Sequence, residues 1–274
     1  GSLVYVGGLD LETALSTISV DGKRLGSELE DIGYNGTAPC PGTTPKIFLE
    51  LHIEQGPILE SEGIEIGAVE NVQGISWTEL TIQGQSNHAG TTPMEMRRDA
   101  GYVAARISTF VRDISNEIGG TQVGTVGKID LVPNLVNVVS SKASMTVDLR
   151  NTSELMLQEA EARLATFCEE IASEEEVEIS RKSLARFEPV EFNHQLVDQV
   201  LATAQKLGYS TKRMTSGAGH DAQMMSRVCP AAMIFVPSKE GLSHNPAEFT
   251  SLDEVSAGAN VLLHLMVDAA EECR

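Results

Sequence analysis

Between residues 75 and 187 the hydrophobic period changes in a fixed order, and that order admits few folds. Residues 77–83 (WTELTIQ) alternate apolar and polar side chains, as a half-buried antiparallel strand does. Residues 97–118 repeat apolar side chains at helical spacing through Val103, Ile107, Phe110, Ile114 and Ile118. Two strand-like runs follow, 121–131 and 138–149, joined by a turn around Pro133 and Asn134. A second amphipathic helix opens at Thr152 and Ser153, whose hydroxyls suit an N-cap, and carries Leu157, Ala160, Leu164, Phe167 and Ile171 on one face. Residues 177–186 close the series as a strand. The order β-α-β-β-α-β predicts a ferredoxin-like split unit, an open antiparallel α+β sheet with both helices on one side.

On either side the texture is α/β. Residues 1–42 hold two short helical patterns, and 35–45 form a Gly/Pro/Thr-rich loop. Residues 46–53 (KIFLELHI) read as a mostly buried strand, and 64–70 as another before a turn near Gly74. After Phe187 come a helix at 195–207, a strand at 209–214, the small-residue turn TSGAGHDA, a helix at 222–228, the buried strand AAMIFVP and a last helix from 252 to about 271. The expected organisation is one α/β domain, 1–74 with 188–274, interrupted by an α+β domain at 75–187.

Charge and composition narrow the partners. The 39 acidic against 20 basic residues leave a net charge of −19, which argues against nucleic acid or anionic lipid. No run of 18 apolar residues reads as a membrane span, and no basic n-region with an apolar h-region opens the chain. Cys40, Cys168, Cys229 and Cys273 are widely spaced and form no CxxC, which suits a reducing compartment, so a cytoplasmic location is expected.

Six histidines can be weighed singly. His52 follows a buried strand in LELHIEQGP, with Glu54 and Gln55 beside it; a metal ligand and a hydrogen-bonded structural histidine are both open readings. His244 lies in the polar loop GLSHNPAE between a buried strand and the last helix, where functional residues concentrate. His88 sits in QSNHAGTTPM, where Thr91, Thr92 and Pro93 would precede a helix whose N-terminus favours anions. His220, after Gly219, stands in a turn that can present N–H groups to an oxyanion or carboxylate, or can simply pack tightly. His194 and His264 fall in helical contexts without polar company and read as structural. Asn137 and Arg150 flank one strand of the insert; Arg150 could hold a carboxylate bidentately or be a solvated strand-end arginine.

Taken together, LELHIEQGPILE, NHAGTTPMEMRRDA, GTVGKIDLVPNLVNVV, DLR, SGAGHDA and MIFVPSKEGLSHNPAE resemble the amidohydrolase branch of the dinuclear-metal aminoacylase/carboxypeptidase superfamily. That branch comprises N-carbamoyl-L-amino-acid hydrolases, allantoate amidohydrolases and β-ureidopropionases. The resemblance implies an exopeptidase-like catalytic domain interrupted by a lid and dimerisation domain, acting on a small N-carbamoyl or ureido substrate. It implies two divalent metal ions, zinc or manganese, with His52 a ligand of one and His244 of the other. Gln55 would lie beside the site, and His88 would contact the substrate or the developing oxyanion. Asn137 and Arg150 would bind the substrate carboxylate, and Gly219 and His220 would line the pocket. A homodimer through residues 75–187 is expected on the same ground.

Relatives begin with a His-x-Asp motif, a bridging Asp and a Glu-Glu pair that supplies the general base, and nothing before His52 matches these. Glu174, Glu175 and Glu176 end the insert's second helix and read as solvated surface. The chain thus resembles the carboxyl-terminal two-thirds of such an enzyme, and a truncated, metal-depleted chain of little activity is the expectation. Two other readings remain: an aminoacylase or dipeptidase on the same scaffold, and a non-catalytic dimerisation or binding module. Ammonia release against amino-acid release from a dipeptide separates the first, and metal analysis the second.

Overall fold

The described residues, 1–272 of this computed structural model, fold into two compact units with separate sheets. The first comprises Gly1–Val72 and the described residues from Glu191 onward; the second is Gln73–Val190.

The first unit opens with three short helices where the sequence suggested two: α1 (Ser2–Tyr5), α2 (Leu11–Leu15) and α3 (Leu25–Asp31). None is long enough to be stable unaided, and α2 owes its start to Asp10, whose carboxylate accepts from Thr13 N–H. Next come β1 (Phe48–Ile53), α4 (Ile58–Glu62) and β2 (Ile66–Val72). The expected turn near Gly74 is absent: only Gln73 separates β2 from β3 (Gly74–Gln83). At Gly74 itself the packing is close: a Cβ there would stand 2.6 Å from Pro189.

The second unit continues with α5 (Ala100–Ile118), β4 (Val123–Val132), β5 (Lys142–Asn151), α6 (Glu154–Glu174) and β6 (Glu178–Phe187). Its sheet order is β4-β5-β3-β6, and every neighbouring pair is antiparallel. The two-residue period along β5 explains the layering. Ala143, Met145, Val147 and Leu149 are buried, whereas Ser144, Thr146, Asp148 and Arg150 between them are only partly so. The buried row shares one core with Val103, Ile107, Val111 and Ile114 of α5 and Leu157, Leu164 and Ile171 of α6, so both helices cover the same face. Between the helices Phe110 and Phe167 stack, with ring centroids 4.0 Å apart.

The helix expected over 97–118 starts three residues later, and Thr91–Pro93 do not open it. Met94–Met96 form a single 3-10 turn, and α5 starts at Ala100 behind Asp99, whose carboxylate accepts from the N–H groups of Gly101 and Tyr102. The anion-favouring helix end is therefore occupied by the chain's own Asp99, not offered at Thr91–Pro93. Asp99→Ala should cost about 1 kcal/mol, readable as a lower denaturant midpoint with an unchanged slope.

The first unit then resumes with β7 (Val190–Glu191), α7 (His194–Lys206), β8 (Thr211–Ser216), α8 (Asp221–Met225), β9 (Ala231–Val236) and α9 (Leu252–Glu272). Its mixed sheet runs β1-β9-β2-β7, with β8 beside β2. Strands β1 and β9 are parallel, so their carboxyl ends lie side by side and bring residues 54–57 next to the loop after Val236. His194, expected to lack polar company, stands 3.8 Å from Glu191. Glu176 is not merely solvated: it pairs with Arg98 at 2.6 Å. Among the described residues no helix is long and apolar enough to cross a membrane.

Candidate metal centre

Glu50 and His52 are two residues apart on β1 and therefore project from the same face of the sheet. Their in-register partners on β9 are Met233 and Phe235, both fully buried, which give that face an apolar floor. The turn after β8 lowers His220 onto the same face as the residue preceding α8. The rings of His52 and His220 meet edge to face with centroids 4.6 Å apart, and the Phe235 ring lies 5.6 Å from that of His220. One donor atom each from Glu50, His52 and His220 falls within 4.8 Å of the other two.

Hydrogen bonds orient each member. Nδ1 of His52 lies 2.8 Å from its neighbour's carbonyl, Ile53 O. A carbonyl can only accept, so Nδ1 carries the proton and Nε2 keeps its lone pair. The hydroxyl of Ser216, itself 1 % exposed, lies 3.0 Å from Ala218 O and 2.8 Å from Nε2 of His220. With its one proton given to Ala218, Ser216 Oγ accepts from Nε2–H and leaves Nδ1 of His220 a lone pair, 3.8 Å from Glu50 Oε1. The second oxygen of Glu50 accepts from Ala222 N–H at 2.7 Å. The small-residue turn does present an N–H to a carboxylate, and that carboxylate is the protein's own.

Burial moves the charges accordingly. It pushes the His220 imidazole down to about 4, and the nearby His52 adds to the fall. It also holds the Glu50 carboxyl above the ordinary carboxylate value, against the opposing pull of Ala222 N–H and His52.

Two imidazoles with oriented lone pairs and one carboxylate are a donor set that divalent zinc or manganese accepts. Donors sharing one such ion at about 2.1 Å each stand roughly 3.4 Å apart in a tetrahedral shell, so modest side-chain rotation would close the group. His220 is neutral at pH 7 and needs no deprotonation to bind. Both rings hand the proton on their far nitrogen to an oxygen, Ile53 O and Ser216 Oγ, as metal-binding histidines do to fix their tautomer. The motifs alone point to one protein ligand from this chain, His52, at this ion, and Glu50 and Ser216 join it only in the fold. The period-2 spacing of Glu50 and His52 was the available signal.

The loops at the adjoining carboxyl ends are tightly drawn. Glu54, almost fully buried, accepts from Ile58 and Leu59 N–H at 2.8 Å each and holds the turn that carries Gln55. Gln55 N–H donates to Ser238 Oγ and its side-chain amide to Ser243 Oγ, both at 2.9 Å, which ties the His52 segment to the residue before His244. His244 is exposed, its N–H donates to Glu248 at 3.0 Å, and it does not belong to the three-residue group. Gln55, Glu240 and His244 all have φ between 55° and 58°. Backbone held in this sparsely populated region costs energy and clusters at functional sites. Gly241 permits the approach, since a Cβ there would stand 2.7 Å from Pro57 N.

Gly219 is exposed beside His220. The remaining site residues of the sequence reading lie in the second unit. His88 and Asn137 are neighbours there: Ala89 N–H donates to Asn137 O at 3.0 Å, and His88 bridges Val138. Arg150 lies on the partly exposed face of β5, held by Asp148 through Nε and Nη2 at 3.0 and 2.7 Å, with its guanidinium 5.9 Å from the Trp77 ring.

Residues 21–268 match the peptidase family M20/M25/M40, and the chain belongs to that family, whose enzymes are metal-dependent. Among its relatives is the N-carbamoyl-L-amino-acid amidohydrolase of Rhizobium meliloti, 40% identical over 268 residues, covering 98% of this chain and 64% of the relative. The allantoate amidohydrolase of Escherichia coli is 40% identical over 240 residues, 85% of this chain and 58% of the relative. A solved amidase of the hydantoinase/carbamoylase family from Burkholderia multivorans superposes with a TM-score of 0.89 at 41% identity, over 97% of this chain and 65% of that one. The chain thus spans somewhat under two-thirds of the length of these relatives.

Proposed function

We propose that this chain carries metal- and substrate-binding elements of an amidohydrolase that cleaves the carbamoyl or ureido C–N bond of an N-carbamoyl amino acid or allantoate. The observation that supports the reading most is the meeting of two separate family motifs, LELH and SGAGH, in one N,N,O donor group. When bound, a zinc or manganese ion lowers the pKa of water toward about 7 and polarises a carbonyl. Glu50, His52 and His220 would hold one such ion, and His244, from the neighbouring loop, would serve a second. Gln55, which spans the two loops, would keep them in register, and Gly219 leaves room beside His220.

The second unit would act as the family's lid and homodimerisation domain, supplying His88, Asn137 and Arg150 to the substrate. Asp148 holds the Arg150 guanidinium in one orientation, and a preset cation suits a carboxylate whose position must be fixed before reaction. Free thiols at Cys40, Cys168 and Cys229 fit a cytoplasmic setting.

The test is ammonia release from an N-carbamoyl amino acid and from allantoate in the presence of zinc or manganese, against amino-acid release from a dipeptide. Ammonia from a ureido substrate is expected, at a low rate because no Glu-Glu pair precedes His52 in these residues; turnover of the dipeptide alone would make the protein a peptidase. Binding gives a second readout. Arg150→Ala should weaken an N-carbamoyl amino acid about tenfold to a hundredfold, as for a lost charge-assisted hydrogen bond, and leave the amide-capped analogue nearly unchanged. Equal losses for both would make Arg150 structural.

A further inference from the structure

Two adjacent arginines of the second unit are used in opposite ways. Arg98 is exposed and pairs with Glu176 on the surface. Arg97 is half-buried and has no carboxylate within ion-pair distance among the described residues, although the chain carries 39 acidic residues. Its guanidinium instead grips two backbone carbonyls: Nη2 donates to Ala89 O at 2.6 Å and to Thr92 O at 3.0 Å, and Nε donates to Thr92 O at 3.1 Å.

The carbonyl of Ala89 belongs to the peptide that joins Ala89 to Gly90. That peptide is trans, so its C=O and N–H lie in one plane and point in opposite directions. On the far side Gly90 N–H donates to Nδ1 of His88 at 3.0 Å. The contact is close: a Cβ on Gly90 would stand 3.3 Å from the imidazole Cε1. A cation, a peptide dipole and an imidazole lone pair thus lie in one chain, in which each hydrogen bond polarises the next.

We propose that Arg97 is a positioning residue for His88: by gripping the Ala89–Gly90 peptide it turns that N–H onto Nδ1, so that the neutral ring presents Nε2–H as a hydrogen-bond donor. The loop bearing His88 is held on its other side by backbone bonds, Val139 N–H to Asn87 O at 2.9 Å and Ala89 N–H to Asn137 O at 3.0 Å. Thr91 and Thr92 N–H also donate to His88 O, at 3.4 and 3.2 Å, and Arg97 adds the side-chain contact to Ala89 O. An Nε2–H donor fits a carbonyl or developing oxyanion and cannot serve as a proton acceptor while neutral. This consequence for the reaction rests on His88 being a substrate contact, as proposed above; the positioning itself does not.

The experiment is nitrogen NMR on the full ¹⁵N-labelled chain at pH 8. A through-hydrogen-bond ¹⁵N–¹⁵N coupling between Gly90 N and His88 Nδ1 is expected in the wild type. In Arg97→Ala it should vanish, with Gly90 amide exchange about fivefold to tenfold faster, as for one lost hydrogen bond; in Arg98→Ala both should stay as in the wild type. Arg97→Met, which keeps side-chain volume without donors, gives the same reading should the alanine variant not fold. A coupling absent from the wild type, or persisting with unchanged exchange in Arg97→Ala or Arg97→Met, would overturn the proposal. A separate arm, N-carbamoyl substrate binding by His88→Ala, tells the two readings apart: no loss there would remove His88 from the substrate site and leave the coupling result standing.

Discussion

His52→Ala should weaken zinc or manganese binding by more than the 10–100-fold that loss of a second-shell partner costs, measured by titration calorimetry on metal-free protein. The size follows from what the ring contributes. Its Nδ1–H is spent on Ile53 O, so the lone pair of Nε2 is already oriented when the ion arrives. Removing it leaves one imidazole and one partly buried carboxylate, too few protein donors for a catalytic zinc, which takes three. Ser216→Ala is the graded companion: it frees Nε2–H of His220 and should cost affinity only about 10–100-fold, as for the loss of a group that orients a ligand. Equal affinities in wild type and His52→Ala would remove His52 from the metal site.

The second large effect is on stability against pH in the metal-free protein. His220 titrates near 4 when folded and near the ordinary 6.5 when unfolded. Between those values the unfolded chain binds the extra proton, so stability rises with pH across this window and is lost as pH falls from about 6.5 toward 4. A shift of this size corresponds to about 3 kcal/mol, a large share of the total for a protein of ordinary stability. Glu50, whose folded pKa is raised, acts in the opposite sense: its contribution is present in acid and lost as pH rises. His220→Gln should flatten the loss between pH 6.5 and 4 in chemical denaturation. An unchanged slope in that variant would mean that another group carries the acid sensitivity.

The layering of the second unit was legible because its periods were clean. A strand such as β5, with one face in the core, shows its alternation directly in the sequence, and α5 and α6 show a helical stripe of apolar residues. Ends were less legible. The apolar repeat places the helix at 97–118, within three residues of α5, but the residues before it do not show that Asp99 satisfies the first-turn N–H groups. The glycine at 74 answers to the approach of Pro189, a contact more than a hundred positions away that no local pattern records.

At the site, the sequence marked His52 and His220 through their motifs but assigned them different tasks. Only the fold of the loop after β8 shows His220 folding back beside His52. Glu50 escaped notice because a lone carboxylate in a strand reads as solvent-facing, although its alternation with His52 puts both on one side. The tie from Gln55 to Ser243 crosses nearly the whole chain, and no local pattern announces it.

The central claim is that Glu50, His52 and His220 bind one divalent ion together. Zinc-edge X-ray absorption on the protein loaded with one equivalent of zinc tests it most directly. Two imidazole nitrogens and at least one carboxylate oxygen are expected in the inner shell, with one imidazole lost in His220→Ala. A shell of oxygens alone, or one that His220→Ala leaves intact, would contradict it.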